Sequence, residues 1–180
     1  TTALPRPLWR TDRGAVAVVV AVAMAALLLV GAVVVDIGAA LVSRHHAQTV
    51  ADAAALAGAR QLGGVYERVA STIQTHVLSA GDRTRVLRAA VQVADRNRSN
   101  LATLTLAELR IGSWNPASRS LAVTNLGADA LLVRASGRTP TFLAGLLRVR
   151  QLDIAASAAA ALTPLGEVPP GGLAAPVGIA

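Results

Sequence analysis

Few side chains in this sequence are of a type and spacing that do chemistry. Between Gly14 and Ser43 the only charged residue is Asp36. His45 and His46 are adjacent, so on a helix they point about 100° apart and cannot share a metal as an i, i+4 pair would. His76 stands alone. The acidic residues are isolated, with no paired carboxylates, and no nucleophile elbow surrounds any Ser or Thr. Gly63-Gly64 follows an apolar helical pattern rather than a strand, so it is not a phosphate loop. Cysteine is absent, which excludes disulfides and thiolate metal sites. No catalytic residue, cofactor or metal is therefore expected. What remains is association chemistry. Arg44, Gln48 and Asp52 fall at i, i+4, i+8 and can form a polar ladder on one helix flank. Ala51, Ala55 and Ala59, with Ala54 and Gly58, give small-xxx-small spacing that lets backbones approach closely, in lipid or in a helical bundle.

The element that positions these residues is one long helix. Ala15 to Val35 carries no charge and no proline, and a bilayer span needs roughly 20 residues. Arg6, Arg10 and Arg13 precede it, opposed only by Asp12, so the positive-inside rule keeps the N-terminus cytoplasmic. The apolar stretch exceeds the ~7–15 residues of a cleaved signal, which makes it an uncleaved signal-anchor. Trp9 is placed to anchor at the interface. Apart from Asp36 the apolar zone continues to Val42, about 42 Å from Ala15 and longer than a ~30 Å hydrocarbon core. Asp36 then either reaches water at the outer boundary or meets a cation on a neighbouring chain when helices bundle. Gly63-Gly64 is expected to end the helix.

Composition narrows the partners. The chain has 180 residues, 53% of them hydrophobic but only 2% aromatic, and a formal charge of +7. All its basic residues are arginine. They are scattered, without aromatic interleaving or a binding motif, so no nucleic-acid partner is expected.

The fold expected is α+β: the long apolar helix, a helical pair, and a small antiparallel sheet. The divisions are a basic N-terminus (1–14), the long helix (15–62), a helical segment (63–99), a β-rich extracytoplasmic part (100–162) and a Pro/Gly-rich tail (163–180). Val65 to Asn97 repeats apolar residues at helical spacing with a break near Ser79–Asp82, and Asp82 is placed to cap the second helix. Four strand candidates follow: "TLTLAELRIGSW", "RSLAVTN", "ALLVRAS" and "QLDIAASAAAAL". Trp114 is expected in the first turn. Thr139–Leu147 is expected as a short helix with Pro140 in its first turn. The Ala-rich stretch at 155–161 fits strand or helix.

Three blocks, "RGAVAVVVA", "VDIG" with Asp36 and Gly38, and "AQTVADAAALAGARQL" from Ala47 to Leu62, resemble the N-terminal domain of the Tad (tight adherence) pilus-assembly family of TadG-like membrane proteins. More loosely, "ELRIGSWNPASRSL" and "NLGADALLVRASGRTPTFLAGLLRVRQLDIAASAAAAL" are similar to later segments of that family. The resemblance implies a non-enzymatic, signal-anchored envelope protein tied to Flp-type pili. Its partners would be other pilus subunits, the membrane and further copies of itself. Asp36, Gly38, Arg44, Gln48, Asp52, Ala51, Ala55 and Gly58 would carry helix association, and Arg10 and Arg13 would flank the membrane. Pilin processing wants a Glu five residues after a Gly, and here Val19 stands there after Gly14. The metal site of the further domain in longer relatives is not carried over. Two roles follow from this: a membrane-resident assembly protein or minor pilin, or a major filament subunit whose core is the apolar helix.

Overall fold

The structure, a computed structural model, describes residues 13–69, 73–97, 103–142 and 144–163. Arg6, Trp9, Arg10, Asp12 and the tail beyond Thr163 lie outside the described residues, so the roles expected of them are not addressed by it. Helix α1 is Arg13–Tyr66, 54 residues long. At ~1.5 Å per residue that is about 80 Å. Its sequence is rich in Ala, Val and Leu and has no internal proline, so no residue of it removes a backbone donor from the helical ladder.

Gly63-Gly64 does not end α1, contrary to the sequence expectation. A helical glycine costs about 1 kcal/mol relative to Ala, but the last turn is held by packing. Leu62 and Val65 are buried, and the Tyr66 hydroxyl donates to the Ala128 carbonyl. Among the described residues, the helix expected to continue toward Val77 stops with α1 at Tyr66. Past α1 the described chain makes one 3₁₀ turn, Ile73–Thr75, and Val77 pairs with Leu126. The Leu78 amide donates to Asn125 O and the Gly127 amide to His76 O, so this backbone satisfies itself against a loop instead of a helix.

Helix α2, Ala80–Arg96, is capped by Ser79, whose Oγ accepts from the Asp82 amide at 3.1 Å. Asp82 is therefore not the cap but the third helical residue, and its carboxylate takes the Ser79 hydroxyl proton in hydrogen bonding at 2.5 Å. The Ser79 hydroxyl thus accepts from the Asp82 amide and donates to the Asp82 carboxylate, which ties the N-cap to the first turn. Val86, Ala90 and Ala94, four apart, form the buried face of α2.

The sheet comprises β1 (Thr103–Asn115), β2 (Ser120–Val123), β3 (Ala130–Pro140) and β4 (Gln151–Ala161). Its order is β2-β1-β3-β4 with every pair antiparallel. The fold is thus α+β, as expected. Trp114 is in β1 opposite Leu121 and not in the turn, which Asn115 organises by accepting from the Ala117 and Ser118 amides. Pro140 closes β3 opposite Gln151, and the expected helix reduces to a 3₁₀ turn at Ala144–Leu147. The Ala-rich stretch is a strand: β4 pairs with β3 from Ala130↔Ala161 to Pro140↔Gln151. That continuous pairing outweighs alanine's helix preference, which amounts to a few tenths of a kcal/mol per residue.

One core joins these layers. From α1 it takes Ala47, Val50, Ala51, Ala54, Ala55, Leu62 and Val65, and from the sheet Leu104, Ile111, Leu131, Val133 and Ile154. Gly58 shows how close the helix lies to the sheet. A Cβ there would sit 2.0 Å from Leu131 Cδ2 and 3.6 Å from Ala90 Cβ.

Candidate functional site

Helix α1 divides at Asp36 into two parts with opposite surroundings. The C-terminal stem buries a stripe at Ser43, Ala47, Val50/Ala51, Ala54/Ala55, Gly58/Ala59 and Leu62, the three-to-four spacing of one helix face. The N-terminal rod buries nothing: from Gly14 to Val35 every residue except the half-buried Ala32 is exposed, and Leu27 and Leu28 reach 72%. The rod is long and apolar enough to cross a membrane. Its length of about 33 Å at ~1.5 Å per residue compares with a hydrocarbon core of about 30 Å. An apolar surface of this extent marks contact with lipid or with other protein.

Asp36 is the outermost member of the buried stripe, one heptad before Ser43, and is only 5% exposed. Its Oδ1 accepts from the Phe142 amide at 2.8 Å and its Oδ2 from the Ala144 amide at 2.6 Å. Both carboxyl oxygens are therefore held by backbone of the same chain, more than a hundred residues away in sequence. Converging backbone amides are a recurrent cradle for an acidic group. Within this chain Asp36 is withdrawn from water, against the first of the two sequence alternatives, and both its carboxyl oxygens have partners of the same chain.

The loop that supplies these amides follows β3 and bonds to itself. The Thr141 amide donates to Arg150 O at 3.1 Å, Val149 to Ala144 O at 3.1 Å and Arg148 to Gly145 O at 3.1 Å. The Thr141 hydroxyl donates to Val149 O. The loop is a closed unit, and Asp36 pins it beside the point where the rod begins.

The other sequence-predicted residues separate into two groups. Ala51, Ala55 and Gly58 are buried against this chain's own α2 and sheet, so the close approach they allow is used inside the chain. Gly38 is exposed, and a Cβ there would meet nothing within 4 Å. Of the polar ladder, Gln48 Nε2 donates to Asp52 Oδ1 at 2.9 Å and to Ser157 O of β4 at 3.2 Å. Arg44 instead lines a cleft with Glu108, Arg110 and Arg134. Arg13 starts α1.

Several other titratable groups make contacts within the head. Asp129 Oδ1 accepts from the Trp114 amide at 2.7 Å, Asp153 pairs with Arg138 at 3.1 Å, Asp82 with Arg85 at 3.1 Å, and Glu108 with Arg110. The Tyr66 phenol is pushed above its ordinary pKa, first by burial and then by the nearby Asp129 carboxylate. The Asp82 carboxyl is held below its ordinary value chiefly by the Ser79 hydrogen bond. Among the described residues no group of three His, Cys, Asp or Glu could hold a metal. The Phe142 and Ala144 amides and the Tyr66–Ala128 contact carried no sequence signal, because backbone donors leave no residue-type signature and the partners are far apart in the chain.

The family described as "Putative Flp pilus-assembly TadE/G-like" matches residues 14–61. No curated protein and no solved structure matches the chain. The looser likeness noted over residues 108–121 and 125–162 lies outside the matched segment. The match covers the rod, Asp36 and most of the stem. Over these residues the chain is similar to the Tad/Flp pilus-assembly TadE/G-like family, and the likeness points to a pilus-related role.

Proposed function

We propose that this chain is a membrane-anchored component of a Tad/Flp-type pilus system, a minor pilin or assembly protein. Its rod crosses the cytoplasmic membrane, and its α+β head stands on the outer side. The observation that carries this is the division of α1: an apolar rod left exposed by the described residues runs without a break into a stem sealed in the head. A rod about as long as the hydrocarbon core is thick suits a bilayer. With the stem's small residues already covered, association with other pilus subunits falls to the rod and to the start of the stem, where Gly38 is open.

A major filament subunit is the second role, favoured by the same exposed rod, since an Ala/Val/Leu surface buries equally well among other helices. Asp36 does not separate the two, because backbone amides of its own chain already hold it. Shearing cells and identifying filament proteins by intact-chain mass spectrometry and electron microscopy separates them. The chain should remain in the membrane fraction, with at most a trace in filaments. Recovery as the dominant mass of ordered filaments would overturn the assembly role in favour of the filament subunit.

A further inference from the structure

We propose that the β3–β4 loop, described at Thr141, Phe142 and Ala144–Arg150, is a foot resting in the headgroup layer of the membrane. Phe142 dips toward the acyl chains, and Arg148 and Arg150 meet the phosphates of anionic lipids. The inference rests on the rod of α1 spanning the bilayer, as proposed above, and adds a second, peripheral contact with the lipid.

Position is the first support. Asp36 is the residue next after the exposed rod, and it bonds the Phe142 and Ala144 amides directly. A rod of about 33 Å filling a core of about 30 Å puts Asp36 at the boundary, and the loop with it. Ile37 and Leu41 remain exposed beyond Asp36, so the apolar surface of α1 continues past the level of the loop.

Chemistry is the second. Phe142 is the chain's only phenylalanine and is 70% exposed. Phenylalanine, like Trp and Leu, is used on the apolar side of interfacial segments that dip to the acyl boundary. Arg148, Val149 and Arg150 are exposed, and no acidic residue occurs from Thr139 to Gln151. Basic residues beside a membrane are drawn to anionic headgroups. Within the loop, the Thr141, Arg148 and Val149 amides bond to carbonyls of the same loop. That lowers the cost of bringing backbone toward lipid. A second copy of the chain is a poorer occupant, because it would bring the same two arginines against them.

The chain has no cysteine, so single spin labels report single sites. Full-length Met24→Cys, Ser118→Cys and Phe142→Cys would be labelled and reconstituted in phosphatidylethanolamine/phosphatidylglycerol nanodiscs holding one copy each. Ser118 is in the β1–β2 turn, at the end of the sheet away from the loop. Collisions with oxygen and with a water-soluble nickel complex give depth. Nickel collisions at Phe142 should fall several-fold below those at Ser118, with oxygen collisions raised. Arg148→Gln/Arg150→Gln, or phosphatidylcholine in place of the anionic mixture, should move the Phe142 label back toward water. A Phe142 label as open to nickel as that at Ser118, with Met24 still oxygen-rich, overturns the foot and leaves the span standing. A Met24 label open to nickel overturns the span and the foot together. Shielding of Phe142 from both reagents overturns lipid contact in favour of protein cover. Indifference of the Phe142 label to both the arginines and the lipid charge overturns the phosphate contact.

Discussion

Asp36 shows how one side chain can tie together segments that the sequence keeps far apart. A carboxyl removed from water needs hydrogen bonds, and here two amides of the β3–β4 loop supply them. Asp36→Asn keeps one acceptor, whereas Asp36→Ala leaves both amides without this partner. At about 1–3 kcal/mol for each unsatisfied buried group, Asp36→Ala should lower head stability by about 2 kcal/mol or more, and Asp36→Asn by less. Urea unfolding in detergent checks this, and equal midpoints for the two variants would contradict it. Tyr66 offers a second measurement at this scale. It is the only tyrosine, so ultraviolet titration of phenolate reports it alone. Burial first, then Asp129, raises its pKa, so its midpoint should lie above the ordinary 10.0 when folded and return toward it when denatured. The folded state prefers the neutral phenol. That contribution to stability is therefore whole below the unfolded value and is lost as pH rises through the folded one. Tyr66→Phe should abolish the titration and cost about 1 kcal/mol, the usual net worth of one hydrogen bond.

At the scale of the element, α1 carries two kinds of glycine. Gly58 is where helix and sheet come closest, with no room for a Cβ beside Leu131. Gly58→Val should destabilise the head by about 1–3 kcal/mol through overpacking. Gly38 faces open space. Gly38→Leu should leave head unfolding unchanged, while reducing recovery of pilus-system partners in crosslinked membranes if association runs through the rod's outer end. A head destabilised by Gly38→Leu, or indifferent to Gly58→Val, would contradict this division of α1. The stem owes its fit to small residues on both sides. Ala156, Ala158 and Ala160 of β4 pack on the same core as Ala51 and Ala55 of α1. Alanine against alanine lets a helix lie close to a sheet and leaves little volume to fill with larger side chains.

For the whole molecule, the head contains all the core residues and the rod contains none. A chain starting at Ser43 and ending at Thr163 should therefore fold and stay in solution without detergent, whereas the intact chain should require it. The shortened chain lacks Asp36, so its Phe142 and Ala144 amides should exchange with solvent faster than in the intact chain. Hydrogen exchange measured by mass spectrometry on both forms checks the pair of expectations. Unchanged exchange in the β3–β4 loop would mean that Asp36 does not hold it.

The sequence by itself determined the pieces whose evidence is local. An uncharged, proline-free run rich in Ala, Val and Leu gives the rod, alternating strands with Asn115-Pro116 give the hairpin, and the Asp36–Gly38 block and the Ala-rich block from Ala47 lie within the segment the family matches. Tertiary structure decided what depends on packing between distant segments. It carried α1 through Gly63-Gly64, because buried Leu62 and Val65 and the Tyr66 contact outweigh glycine's cost. It replaced the helix expected after Val65 with backbone pairing to the Asn125–Gly127 loop, and it made Ala155–Ala161 a strand by pairing it with β3. It also turned the small-residue face of α1 inward and gave Asp36 its partners. Helical periodicity marks which residues share a face. What covers that face is settled by backbone donors and close contacts that no local pattern encodes.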